Sequence, residues 1–332
     1  MRSKKRNNNG LKIFVSILAI LVIGILGYIY SIYANVKDSM DTAYTPVEIE
    51  TFRTTNTGTV ADSSEYEESR ADAGAMTPSE LLEAGEPVSI LLLGVDTGDL
   101  GRTEQGRSDS MVVVTINPHT QKTTLLSIPR DTYTEIVGYG TSDKINHAYA
   151  FGGTAMSINT VQQMLDIPID FYVMVNMAGI QEIVDAVGGI TVESPLAFNQ
   201  NGYDFVQGTN QLDGEAALAF ARMRYEDPAG DTGRQGRQRL VIEAVIRKLA
   251  TPETLLNYQT ILQSLSSNVQ TSFQLSDFYT LQSQDYLGAV DNMNQQQLGG
   301  TGGMMNEIYY NFVDGTELTR VQDLLQAELE LE

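Results

Sequence analysis

The chain has 332 residues, 42 acids against 21 Lys and Arg, and a formal net charge of −21. It contains no Cys and two His, His119 and His147, so a disulfide framework and cysteine- or histidine-built metal sites are excluded, and any expected cation is a hard one held by oxygen. The acidic balance also excludes general nucleic-acid binding, which needs a broad basic surface.

Residues 1–12 carry Arg2, Lys4, Lys5, Arg6 and Lys12 with no acid, and the 21 residues of 13–33 are uncharged and rich in Ile, Leu and Val. About 20 apolar residues span a bilayer, basic flanks stay cytoplasmic, and Tyr28, Tyr30 and Tyr33 suit the far interface. A cleaved signal peptide is the rival, but no small-residue cleavage site follows. The expectation is a single uncleaved signal-anchor, with the N-terminus cytoplasmic and the remainder outside. Residues 34–86 hold twelve acids against Lys37, Arg53 and Arg70 and show poor apolar periodicity, which predicts an acidic extracellular linker. A short helix over Pro78–Ala84 closes it.

The folded domain is expected over 87–332. Ser89 to Gly94 is a continuous apolar run, as in a strand buried on both faces, and it delivers Asp96 at its end. A polar loop over 97–110 precedes two runs, 111–116 and 123–128, that predict a hairpin. Helices are predicted at 154–165, 178–187, 214–220 and 236–250, and strands at 170–175 and 190–193. Beyond Ala250 the clearest helices are 252–265 and 317–329, and Gly300 to Asn306 looks like a Gly/Met-rich loop. Alternating strands and helices predict an α/β or α+β fold, a central sheet with helices on both faces.

Five arginines, Arg222, Arg224, Arg234, Arg237 and Arg239, crowd into 18 residues of this acidic chain. Arg222 and Arg224 are two apart in a segment that reads as extended, so both should point to one face. Arg234, Arg237 and Gln238 are spaced i, i+3 and i+4 at a helix start and should share its first turn. Cations there oppose the helix dipole and repel one another, an arrangement that a multivalent anion would offset. Surface ion pairs are the competing arrangement. Arg107 and Arg130 also lie beside strand ends, while Asp96 and Asp109, brought together at the mouth of a sheet, suit Mg²⁺, or Mn²⁺ in its place. The alternative is that Asp96 caps a turn and Asp109 is solvated. Asp131 reads as an orienting partner for Arg130, and His147 as structural.

Six motifs in order, Ile90 to Asp96, Arg107-Ser-Asp109, Ser127 to Asp131, Lys144 to Ala148, Ala221 to Tyr225 and Gly233 to Leu240, resemble those of the LytR-CpsA-Psr family. The short basic tail and single anchor match its usual architecture. The resemblance implies a mixed central sheet flanked by helices, with a hydrophobic tunnel for a polyprenyl chain and a pyrophosphate–Mg²⁺ site at its mouth. It implies that Asp96 and Asp109 hold the metal. Arg107, Arg130, Arg222, Arg224, Arg234 and Gln238 would contact the pyrophosphate, with Arg237 close by. The implied reaction moves a glycopolymer, teichoic acid or capsular polysaccharide, from undecaprenyl pyrophosphate to a muramic acid hydroxyl of peptidoglycan, on a Gram-positive-type cell surface. Asp109 or Asp96 is the nominated base. The competing functions are a polyprenyl-pyrophosphate phosphatase and a non-catalytic protein that binds lipid or wall polymer.

Overall fold

Val88–Val95 (β1) is buried along all but Leu92, as its uninterrupted apolar run requires. In this computed structural model the described residues are 43–47, 76–96, 105–251, 254 and 268–331. The anchor at 13–33, the loop at 97–104 and the helix expected over 252–265 therefore lie outside the described residues, Thr254 excepted. Among the described residues no helix is long and apolar enough to cross a membrane.

β1 pairs antiparallel with Ser108–Asn117 (β2), which forms the expected hairpin with Lys122–Ser127 (β3). On its other side β1 runs parallel to Phe171–Asn176 (β6), and Val269–Thr271 (β11) adds antiparallel to β6. Met293–Gln297 (β12) joins β3 in parallel, giving a six-stranded mixed sheet of order β11-β6-β1-β2-β3-β12. Between β3 and β6 come the hairpin Tyr133–Ile136 (β4) and Thr141–Lys144 (β5), then His147–Leu165 (α2). α1 is Pro78–Ala84, the short helix expected there, and it is started by Thr77, whose side chain accepts from the Glu80 N–H in a capping box. After β6 come Met177–Ala186 (α3), Ile190–Ser194 (β7), Phe198–Gln200 (β8), Tyr203–Phe205 (β9), Gly208–Leu212 (β10), Gly214–Arg222 (α4) and Gly230–Leu249 (α5). Leu275–Ser283 (α6), the hairpin Thr301–Met305 (β13) with Ile308–Phe312 (β14), and Gly315–Glu328 (α7) complete the order.

The strand period of two sorts the core. Leu91, Leu93, Met111, Val113 and Leu126 pack under Ile158 and Val161 of α2 and Val321 and Leu325 of α7. Ile90, Val112, Val114, Leu125 and Phe171 face Leu81 and Leu82 of α1, Phe273, Tyr286, and Ile242 and Ile246 of α5. So α2 and α5 lie on opposite faces of the sheet. A second cluster joins Val184, Ile190, Val192, Phe198, Phe205 and Phe220 and carries the layer that delivers the arginine stretch.

Four expectations need correction. The folded part does not begin at 87: Leu81 and Leu82 are core residues, and Ala43–Val47 docks too, with Tyr44 bridged to Thr271 and the Tyr172 hydroxyl donating to the Thr45 carbonyl at 2.5 Å. Gly300 to Asn306 is no loop, because Thr301–Met305 pairs as β13 and the turn falls at Asn306 and Glu307, both with positive φ. α5 starts at Gly230, six residues before the expected 236, so Arg234 and Arg237 sit within it rather than in its first turn. Arg222 is the last residue of α4, so Arg222 and Arg224 do not share an extended segment.

Candidate functional site

Asp109 owes its position to a β-bulge. Gly94 pairs with Ser110 and Val95 with Ser108, leaving Asp109 as the extra residue that the bulge re-aims. A Cβ at Gly94 would lie 3.0 Å from Ser110 Cβ, so a larger residue there would have to push Ser110 aside by a few tenths of an ångström. One step on, the Arg107 N–H donates to Asp96 Oδ1 at 2.5 Å and the Asp96 N–H to the Arg107 carbonyl at 3.1 Å. The two carboxylates thus end adjacent strands, while Arg107 itself is exposed.

Arg130, just past β3, donates from Nη1 to Asp109 Oδ1 at 2.7 Å, and its Nε lies 3.8 Å from Asp131 Oδ2. Lys144 Nζ donates to Asp131 Oδ1 at 2.7 Å, so Asp131 is hydrogen-bonded to Lys144, and toward Arg130 it acts through charge alone. From the α5 side, Arg234 Nη2 lies 2.7 Å and Arg224 Nε 3.5 Å from the same Asp231 Oδ1. Burial lowers the pKa of Arg234 first, Arg130 and Arg224 push it further down, and Asp231 and Asp109 only partly offset this. Burial also opposes charge on Arg130, but there Asp109, with Asp231 and Asp131, outweighs it and raises the pKa. Three guanidiniums, Arg130, Arg224 and Arg234, and three carboxylates, Asp109, Asp131 and Asp231, therefore share one field.

This cluster is short of hydrogen bonds. Arg234 Nε and Nη2 and Arg130 Nε are buried yet make none, the Arg234–Asp231 approach lacking the alignment of one. A buried N–H left so costs about 1–3 kcal/mol, which the oxygens of a multivalent anion would offset. A hollow of about 440 Å³ lies instead beside Arg237 and Asp227, lined also by Gly233, Gly236 and Leu240 of α5 and by Glu193, Pro195, Leu196 and Gln295.

The LytR_cpsA_psr family model matches residues 49–327. The chain belongs to the LytR-CpsA-Psr family. A relative from Enterococcus faecalis, named as a polyisoprenyl-teichoic acid–peptidoglycan teichoic acid transferase, is 44% identical over 325 residues, covering 97% of this chain and 99% of its own. A crystal structure from the same organism, described as a transcriptional regulator, matches with TM-score 0.69 and 44% identity over 76% of this chain and 90% of that one. The crystal structure of TagU from B. subtilis matches with TM-score 0.61 and 42% identity over 74% of this chain and 98% of that one.

Within this LytR-CpsA-Psr domain, Asp96, Asp109, Arg107 and Arg130 gather at the sheet mouth, and Arg224 and Arg234 reach the same cluster. Gln238 is half-buried one turn beyond Arg234, and Arg222 is half-buried at the end of α4. Arg237 is elsewhere. It is fully buried, its Nε donates to the Phe220 carbonyl at 3.1 Å, and its two other nitrogens donate to Asp227 and to the Met223 carbonyl. Its place among the pyrophosphate contacts is therefore corrected: Arg237 is a brace, because the Phe220 and Met223 carbonyls and Asp227 take up its guanidinium in the interior. Asp231, which gathers Arg224 and Arg234, was not singled out in the sequence, although its i, i+3 spacing to Arg234 was a usable signal.

No group of three or more metal-type side chains occurs among the described residues. Asp96 and Asp109 form a two-carboxylate set, which fits a hard divalent cation completing its shell with phosphate oxygens and does not make a closed protein cage.

Proposed function

We propose that this chain is a membrane-anchored extracellular transferase that moves an anionic glycopolymer from undecaprenyl pyrophosphate to a muramic acid hydroxyl of peptidoglycan. The observation that carries this is the Arg130–Arg224–Arg234 cluster, in which Arg130 Nε and Arg234 Nε and Nη2 are buried without hydrogen-bond partners. The name of the Enterococcus relative supports the same substrates. Asp96 and Asp109 would hold Mg²⁺, which would supply further charge neutralisation at the pyrophosphate.

In this reading Arg130, Arg224 and Arg234 bind the pyrophosphate and stabilise charge as it shifts toward the leaving oxygen. The sugar hydroxyl oxygen bonds to the phosphorus that carries the glycopolymer, the bridging P–O bond breaks, and polyprenyl phosphate leaves. The hydroxyl proton passes to a carboxylate of the Asp96–Asp109 pair. The anchor at 13–33 keeps the domain at the surface where such a donor lies.

The test incubates the full-length protein with a labelled lipid-pyrophosphate glycopolymer, Mg²⁺ and peptidoglycan. Label joined to peptidoglycan is the expected result. Label released as free polymer in the presence of acceptor would make the chain a phosphatase, and retention on the unreacted donor would make it a binder.

A further inference from the structure

Tyr139 and Phe151 form an exposed pair with no evident structural use. Their rings stack with centroids 4.0 Å apart and planes 11° from parallel, yet Tyr139 is 50% and Phe151 38% exposed. Stacking covers one face of each ring, so the outer surface of the pair remains open to solvent. The backbone is built to hold them there. Tyr139 lies between Gly138 and Gly140, both with positive φ, at the β4–β5 turn. Phe151 precedes the break in α2 at Gly152 and Gly153, whose φ of −142° and 65° interrupt the helix. His147 meets Phe151 edge-on at 5.7 Å, and its Nδ1 is 2.7 Å from Asp143 Oδ2, which orients the ring.

The platform stands on the hairpin and helix that lead away from the anion cluster. Asn146 N–H donates to the Arg130 carbonyl at 3.3 Å, and Lys144 holds Asp131 beside Arg130, so the segment carrying Asp143 and His147 is pinned to the site's own arginine. Phe151 and His147 belong to α2, on the sheet face opposite α5. Displacement at phosphorus places the attacking and leaving oxygens roughly in line. With Arg224 and Arg234 holding the pyrophosphate from the α5 side, the open approach for an attacking hydroxyl is from the α2 side.

We propose that the Tyr139–Phe151 stack, with the Asp143–His147 pair beside it, is the subsite for the acceptor saccharide. A pyranose offers a C–H face to an aromatic surface and hydroxyl or N-acetyl groups to polar neighbours, and an uncharged sugar suits a position outside the guanidinium cluster. This rests on the transferase reading above and specifies which side of the site the glycan strand occupies.

The experiment uses the full-length protein with soluble peptidoglycan glycan fragments. At saturating donor, Tyr139→Ala and Phe151→Ala each raise the acceptor KM by about 3- to 10-fold, the range expected for losing one aromatic contact, while kcat and donor Kd stay within about twofold. Phe151→Leu, which keeps the apolar bulk, gives the same KM rise if an Ala variant fails to fold, and Tyr139→Phe recovers most of the loss. Tyr279→Ala, 45% exposed on α6, is the control. Direct binding of the glycan fragment, measured without donor, separates this proposal from the transferase reading: a wild type that binds glycan through these rings but transfers nothing defeats only the latter. Unchanged acceptor KM and glycan affinity in the Ala variants overturns the subsite. So does an equal loss of donor affinity, or a loss confined to binding of anionic phospholipid vesicles, which would make the pair a membrane contact.

Discussion

Replacing Arg237 separates a structural arginine from the ligand-facing ones. Arg237 and Asp227 have side chains 0% and 3% exposed, and the guanidinium also ties together the end of α4 through Phe220 and the following turn through Met223. Arg237→Ala leaves the Asp227 carboxylate and two carbonyls without their donor. Removing one partner of a buried ion pair typically costs about 3–5 kcal/mol, or roughly 10 °C in Tm for a domain of this size. The pH dependence has a definite sign. Burial alone would raise the Asp227 pKa, but hydrogen bonds from Arg237 and the Ala229 N–H, and the charge of Arg237, outweigh it and lower the pKa. In the native protein Asp227 therefore adds stability above its unfolded pKa of about 3.9, and this is lost as pH falls through the lower folded value. Without Arg237 burial dominates and the folded pKa rises, so Asp227 costs stability as pH climbs above about 4. Urea denaturation at pH 5 and pH 7 should show a larger deficit at pH 7, and Asp227→Asn in the same chain should restore part of it. A variant with wild-type Tm that loses lipid-pyrophosphate binding would refute this reasoning and return Arg237 to the ligand.

Arg234→Ala should leave Tm nearly unchanged, since its hydrogen-bonding capacity is largely unused within the protein, and should weaken lipid-pyrophosphate binding by about 1.5–3 kcal/mol, roughly ten- to a hundredfold. Arg234→Lys should recover only part, because a point charge does not reproduce the guanidinium fork, and Arg320→Ala, whose partner Glu317 is on the same surface helix, should bind as wild type. A chain beginning at 87 should be less stable than one beginning at 76, because it loses buried Leu81 and Leu82, about 1.5–3 kcal/mol each. Equal thermal melts for the two would show that α1 is dispensable.

The central fold was legible because its signals are strong and local. β1 is a run buried on both faces, the β2–β3 hairpin straddles Asn117 to Lys122, and α1 carries its own capping box. The short hairpins β4–β5 and β8–β9 were not, since four-residue and three-residue strands with mixed polarity carry too little periodicity. β12 reads Met-Asn-Gln-Gln-Gln, polar for a strand, and joins the sheet only as an edge beside β3. The site was legible in its residue types and order but not in every orientation. Spacing put Arg234 and Arg237 on one side of a helix start, whereas the true start at Gly230 and the apolar floor at Phe220 and Met223 sent one outward and the other in. The aromatic pair was invisible because Tyr139 and Phe151 are joined only by tertiary folding.

Gly233 shows how far the anion site depends on that floor. A Cβ there would fall 1.9 Å from Asp227 Oδ2, so only glycine lets the carboxylate reach Arg237. Asp227 also accepts from the Ala229 N–H at 2.7 Å, and it thereby fixes the turn that joins α4 to α5. That turn carries Arg224, and the first turn of α5 beyond it carries Asp231, the carboxylate that Arg224 and Arg234 share. Gly233→Ala should therefore do two things at once. It should lower Tm as Arg237→Ala does, because Asp227 must move, and it should weaken lipid-pyrophosphate binding although it removes no charged group. Wild-type binding in a destabilised Gly233→Ala protein would show that Arg224 and Arg234 are placed independently of the brace. If both properties fall together, a missing methyl group beside Asp227 is part of what positions the arginines.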